Sequence, residues 1–135
     1  MATFDIFNGD ADGICALTQL RNAEPCDSEL VTGVKRDIKL LAGLEIHAGD
    51  TLNVLDISMD KNKQDLLRLL QAGAEIFYCD HHVAGDIPDH PKLDALINVE
   101  PDICTSLLVN GRLKGAYAGC AVVGVIGDNL KKSAQ

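Results

Sequence analysis

The chain has 135 residues, 47% of them hydrophobic, with 12 Lys and Arg against 20 Asp and Glu and a formal net charge of −8. That length bounds the fold to a single domain over 1–135 with a genuine core, and the composition excludes intrinsic disorder. The acidity, together with no Trp, two Tyr and three Phe, argues against a nucleic-acid surface built from basic patches and stacked aromatics.

In chain order, Phe4-Asp5-Ile6-Phe7 reads as a first strand that runs into Asp10-Ala11-Asp12-Gly13, with a helix starting at the glycine and carrying Ile14 to Leu17 and Leu20. A second strand is expected at Leu30–Val34, and Ile38, Leu41 and Leu44 at helical spacing predict a helix over Arg36–Leu44. Leu52-Asn53-Val54-Leu55 is a third strand ending at Asp56. Ser58 or Asp60 caps the next helix, which carries Leu66, Leu67, Leu69 and Leu70 and stops at Gly73.

The run Ala74-Glu75-Ile76-Phe77-Tyr78 is a fourth, buried strand that leads through Cys79 into Asp80-His81-His82. A Pro-containing loop, Ala84 to Lys92, and a fifth strand at Ala95–Val99 follow. Asp102 is placed to cap a helix through Val109, and the apolar stretch Ala116–Ile126 is a last helix ending on Gly127-Asp128. Strands alternate with helices, which indicates an α/β fold: an open, mainly parallel sheet of about five strands flanked by helices, Rossmann-like in plan.

Five cysteines, Cys15, Cys26, Cys79, Cys104 and Cys120, are odd in number and lack C-x-x-C spacing, the pattern of reduced cytosolic thiols. No apolar run approaches the roughly 18 residues of a membrane span, and no basic n-region opens the chain. The expected setting is cytoplasmic, without a membrane partner.

If the first, third and fourth strands lie side by side and parallel, four carboxylates and two imidazoles meet at the carboxyl edge, where open α/β sheets bind ligands. Like charges a few Å apart repel by several kcal/mol even at an effective dielectric of about 20. Either some carboxyls stay protonated or divalent cations sit between them. Imidazole mixed with carboxylate suits Mn²⁺, Zn²⁺, Fe²⁺ or Co²⁺ better than Ca²⁺.

An EF-hand reading from Asn8 fails, because its twelfth position is Gln19 and a strand precedes it. A haloacid-dehalogenase-like phosphatase, with Asp10 as nucleophile and Asp12 as general acid, leaves Asp80-His81-His82 without a task. Taken in order, Asp10-Ala11-Asp12-Gly13, Asp56, Asp80-His81-His82 and Asp128 resemble the four motifs of the DHH phosphoesterase superfamily. The superfamily includes RecJ-like exonucleases, exopolyphosphatases, pyrophosphatases and cyclic-dinucleotide phosphodiesterases, and most members use Mn²⁺.

The resemblance implies two Mn²⁺ ions, with Mg²⁺, Co²⁺ or Zn²⁺ as substitutes. Asp10 would bind one ion, Asp12 the other, and Asp56 both; His81 and Asp128 would complete the ligand set of the second ion, while His82 would face the substrate phosphate. Two departures stand out. The family's histidine before the D-x-D pair is missing, leaving Asn8 as the nearest oxygen donor, and the family's smaller C-terminal substrate-binding domain is absent from this sequence. The expected function is metal-dependent hydrolysis of a phosphate-containing small molecule, polyphosphate or short single-stranded nucleic acid, with Asp56 and His82 catalytic. An inactive regulatory DHH-like module and the dehalogenase-like phosphatase are the alternatives. Oligomeric state is not written in the sequence.

Overall fold

Five short runs of apolar and β-branched residues pair into one parallel sheet in the order β2-β1-β3-β4-β5. The computed structural model describes residues 2–23, 27–33, 41, 44–100 and 103–113. Within them the elements run β1 (Thr3–Asn8), α1 (Ala11–Ala23), β2 (Glu29–Gly33), β3 (Thr51–Leu55), α2 (Met59–Gln71), β4 (Glu75–Asp80), β5 (Leu93–Ile97) and α3 (Thr105–Arg112). The expected α/β architecture with a five-stranded parallel sheet is what the chain adopts.

The pleat sends alternate side chains to opposite faces. Ile6, Leu52, Val54, Ile76 and Tyr78 pack with Met59, Leu66, Leu69 and Leu70 of α2. On the other face Phe7, Leu55 and Cys79 meet Ala16, Leu17 and Leu20 of α1 and Val109 of α3. Crossovers on opposite faces follow from right-handed βαβ connections that run outward in both directions from β1 and β3. The reversal of strand order between β1 and β3 is the topological switch point of the sheet, and it opens a crevice at the carboxyl ends of its strands.

Local chemistry shifts several expected boundaries. The first helix begins at Ala11, two residues before Gly13, because the Asp10 side chain caps it: Oδ1 accepts from Gly13 N–H at 2.9 Å. Gly13 serves packing instead, since a Cβ there would sit 2.0 Å from the Asn8 carbonyl oxygen. β4 extends to Asp80, and β5 lies two residues earlier than expected, ending where its partner ends through the pairing of Asp80 with Ile97. Ser58, not Asp60, caps α2, and Gly73, at φ 98°, follows its end.

The third helix starts at Thr105, so the cap position belongs to Cys104 and not to Asp102. Asp102 itself lies outside the described residues, as do Val34, most of the helix expected over Arg36–Leu44, the stretch Ala116–Ile126 and Asp128. Leu41 occupies a buried turn and Leu44 a non-helical segment, both packed against the α2-side core.

Candidate metal centre

Each acidic group of the site arrives on a strand end or the first turn of a helix. Asp10 follows β1, Asp12 lies in the first turn of α1, Asp56 follows β3, and Asp80 is the last residue of β4. Parallel pairing of β1 with β3 and of β3 with β4 brings these carboxyl ends side by side. Asp12, Asp56 and Asp80 are almost completely buried.

His81 stands among them. Its Nε2 is 3.2 Å from Asp56 Oδ1 and 3.5 Å from Asp12 Oδ2. His82 stacks on His81 with ring centroids 4.4 Å apart, and its Nδ1 is 2.7 Å from Asp80 Oδ1. Asp56, Asp80, His81 and His82 each offer one ligand atom, all within 4.8 Å of one another.

Asp56 has a backbone to match this crowding. Its φ is 63°, the left-handed region that non-glycine residues rarely enter and that Asp tolerates better than most. Its N–H donates to the Cys79 carbonyl at 3.0 Å, and the fully buried Tyr78 hydroxyl donates to the Ile57 carbonyl at 2.7 Å, so β4 fixes the backbone on both sides of the bend. Such local strain concentrates at functional sites.

Electrostatics respond as repulsion requires. Burial, then the Asp12 and Asp10 carboxylates, then a side-chain hydrogen bond with Asp10, push Asp56 well above the usual carboxylate range. The hydrogen bond to Asp80 raises the His82 imidazole, against the opposing effect of burial. Burial followed by the Asp80 charge drives the Cys79 thiol far up, which leaves it an inert core thiol beside the site.

The residues suit a divalent cation. Asp80 Oδ2 is buried and has no hydrogen-bond partner among the described residues, a costly state for a carboxylate oxygen that a cation would relieve. The oxygen and imidazole donor set is one that Mn²⁺, Co²⁺ or Zn²⁺ accepts.

Sequence reasoning brought Asp10, Asp12, Asp56, His81 and His82 to this edge, and the structure gathers all five. Asn8 ends β1 at the same edge, half-buried. Sequence reasoning missed Thr105 and Ser106. Asp12 Oδ2 accepts from Thr105 N–H at 3.1 Å and Oδ1 from Ser106 N–H at 2.7 Å, while Thr105 Oγ1 donates to Asp56 Oδ1 at 3.1 Å. The signal was available: Thr-Ser ahead of Leu-Leu-Val marks a helix start as well as Asp102 does.

Lys61 is exposed in the first turn of α2, whereas Lys63 Nζ donates to the Ala84 carbonyl at 2.7 Å and clips the loop that follows His82. His47 is exposed, and His90 Nδ1 accepts from Lys92 N–H at 3.1 Å, so both stand apart from the site. A groove of about 290 Å³ lined by Thr51, Glu75, Phe77, Pro91, Lys92 and Asp94 lies at the opposite, amino-terminal ends of β3 to β5 and contains none of the candidate residues.

Among solved structures, a crystal structure of exonuclease RecJ bound to manganese superposes on 94% of this chain with a TM-score of 0.58 and 23% sequence identity. The chain shares its α/β fold with the matched part of that structure. This chain covers 38% of the RecJ chain, so the likeness concerns one part of that molecule. RecJ-like exonucleases are among the DHH phosphoesterases that the four motifs resemble, and the fold agrees with that resemblance. No family model matches the sequence, and no curated protein matches it.

Proposed function

We propose that this chain is the metal-binding domain of a divalent-metal-dependent phosphohydrolase of the DHH type. The observation that carries the reading is the convergence of Asp12, Asp56, Asp80, His81 and His82 at the switch point, with one buried Asp80 oxygen left without a donor. The RecJ fold supports it, and the manganese in that structure favours Mn²⁺ as the ion.

Asp10, Asp12, Asp56 and His81, joined by Asp80, would hold the ions, with Asn8 and Asp128 as further donors. When bound there, a pair of divalent ions would supply an activated water and charge stabilisation for in-line displacement at phosphorus. Asp56 is the residue to serve both, since its carboxyl is hydrogen-bonded with Asp10 and its Oδ1 faces His81 Nε2 at 3.2 Å. His82, partly exposed and with its imidazole raised by the hydrogen bond to Asp80, would face an incoming phosphate oxygen. No helix among the described residues is long and apolar enough to cross a membrane; a cytoplasmic enzyme acting on polyphosphate, a nucleotide or a short single strand is the setting we favour.

A regulatory module with one ion or none is the second reading, favoured by the engagement of both Asp12 oxygens with α3. Each carboxylate oxygen keeps a further lone pair for a cation, so the first reading stands ahead. The test is hydrolysis of an aryl phosphodiester, inorganic polyphosphate and a labelled single-stranded oligonucleotide, with Mn²⁺ and with chelator. Mn²⁺-dependent cleavage that His82→Ala reduces at least about 100-fold is expected of a general acid–base or phosphate-facing group. Equal turnover with chelator would exclude the reading.

A further inference from the structure

Resting on that metal-dependent reading, we propose that Thr105 is a positioning residue: its hydroxyl sets the orientation of the Asp56 carboxylate. Thr105 is the first residue of α3 and is fully buried. Its Oγ1 donates to Asp56 Oδ1 at 3.1 Å, the same oxygen that His81 Nε2 faces at 3.2 Å.

The backbone of Asp56 leaves little else to fix. Its φ of 63° is held by the bond from its N–H to Cys79 and by the Tyr78 hydroxyl on Ile57. What stays soft is the terminal carboxylate torsion, which is broad and two-fold in Asp. A carboxylate that serves two ions must aim each oxygen separately, and the Thr105 hydroxyl narrows that broad torsion to the angle at which Oδ1 accepts from it. The same turn of α3 holds Asp12 through the Thr105 and Ser106 N–H groups, so one helix start sets two carboxylates, one from the first turn of α1 and one that follows β3. Partners behind metal ligands act in this way, fixing ligand orientation at no cost when the ion arrives.

The experiment uses the full chain stripped with chelator, with Mn²⁺ titrated by calorimetry and bound Mn²⁺ followed by electron paramagnetic resonance. Thr105→Val keeps the shape and removes the hydroxyl; Thr105→Ser keeps the hydroxyl. Thr105→Val is expected to weaken Mn²⁺ binding by about 10-fold or more and to alter the resonance, with Thr105→Ser close to the parent.

Equal affinity in Thr105→Val and the parent would overturn the proposal, and so would equal weakening in both variants, which would assign the effect to packing. Should Thr105→Val fail to fold, Thr105→Ala deletes the same hydroxyl without a second methyl and is read by the same criteria. Failure of the parent chain to bind Mn²⁺ would remove the metal-dependent reading itself. Binding by the parent that Asp56→Asn abolishes and Thr105→Val leaves intact would remove only the role of Thr105.

Discussion

Asp12 and Ser106, 94 positions apart, are joined by a buried 2.7 Å hydrogen bond from the Ser106 N–H to Asp12 Oδ1. With the companion bond from Thr105 N–H, one acidic side chain of α1 caps the start of α3. No side-chain cap comes from Cys104, the local cap residue. Helix starts favour negative charge, so the pair also offsets part of the repulsion Asp12 feels from Asp56.

Asp12 is thus structural as well as a candidate ligand. Asp12→Ala leaves two buried N–H groups without acceptors and is expected to cost about 2–3 kcal/mol, seen as a lower denaturation midpoint of the metal-free protein. An unchanged midpoint would mean that α3 is capped by other means.

Asp56→Asn is expected to act in the opposite direction. The substitution replaces a carboxyl whose ionised form is disfavoured by burial and by two neighbouring carboxylates, and Asn accepts a positive φ readily. Metal-free Asp56→Asn should be more stable than the parent by about 1 kcal/mol at neutral pH, while losing metal binding.

The same residue sets a pH dependence. Its folded pKa lies above the unfolded value, so its contribution to stability is complete below the ordinary carboxylate range and is lost as pH rises through the folded value. A cation competes with that proton, so Mn²⁺ affinity should rise with pH across the same window, with proton release. Calorimetry in buffers of different ionisation enthalpy measures the release; a Mn²⁺ affinity that does not change with pH and no proton release at any pH would contradict the raised pKa.

His82 supplies a cleaner titration. Its pKa is raised chiefly by the hydrogen bond to Asp80, so the pair favours the fold below the unfolded histidine value and ceases to do so as pH rises through the folded one. In the metal-free protein the His82 ring resonances should titrate above the ordinary histidine range. Asp80→Asn should bring them down, and an unmoved titration would exclude the pairing.

Gly13→Ala tests the seat of α1 on β1. A Cβ placed 2.0 Å from a backbone carbonyl oxygen cannot be absorbed by a rotamer change. A loss of about 3 kcal/mol is expected from denaturant unfolding, along with weaker metal binding as Asp12 is carried outward from Asp10.

Most of the fold was legible because periodicity and strand-end chemistry agree. β3 and β4 are bounded by turn residues and apolar on most of their buried positions, and Gly73 stops α2 as its position suggests. What escaped notice depends on contacts across long sequence separations. Asp5, buried mid-strand in β1, holds Arg21, Ser28 and Asn53, and reads in sequence as a polar interruption of a strand. Thr105 and Ser106 escaped for the same reason, since their partners lie 49 to 94 positions away. Asp80 was part of a motif without a metal role until the structure showed its oxygen lacking a donor.

Metal stoichiometry tests the central claim most directly. Mn²⁺ titrated calorimetrically into the chelator-stripped chain should show two sites, both lost in Asp56→Asn because one carboxylate serves both ions. Two sites surviving in Asp56→Asn, or no binding by the parent chain, would contradict the account.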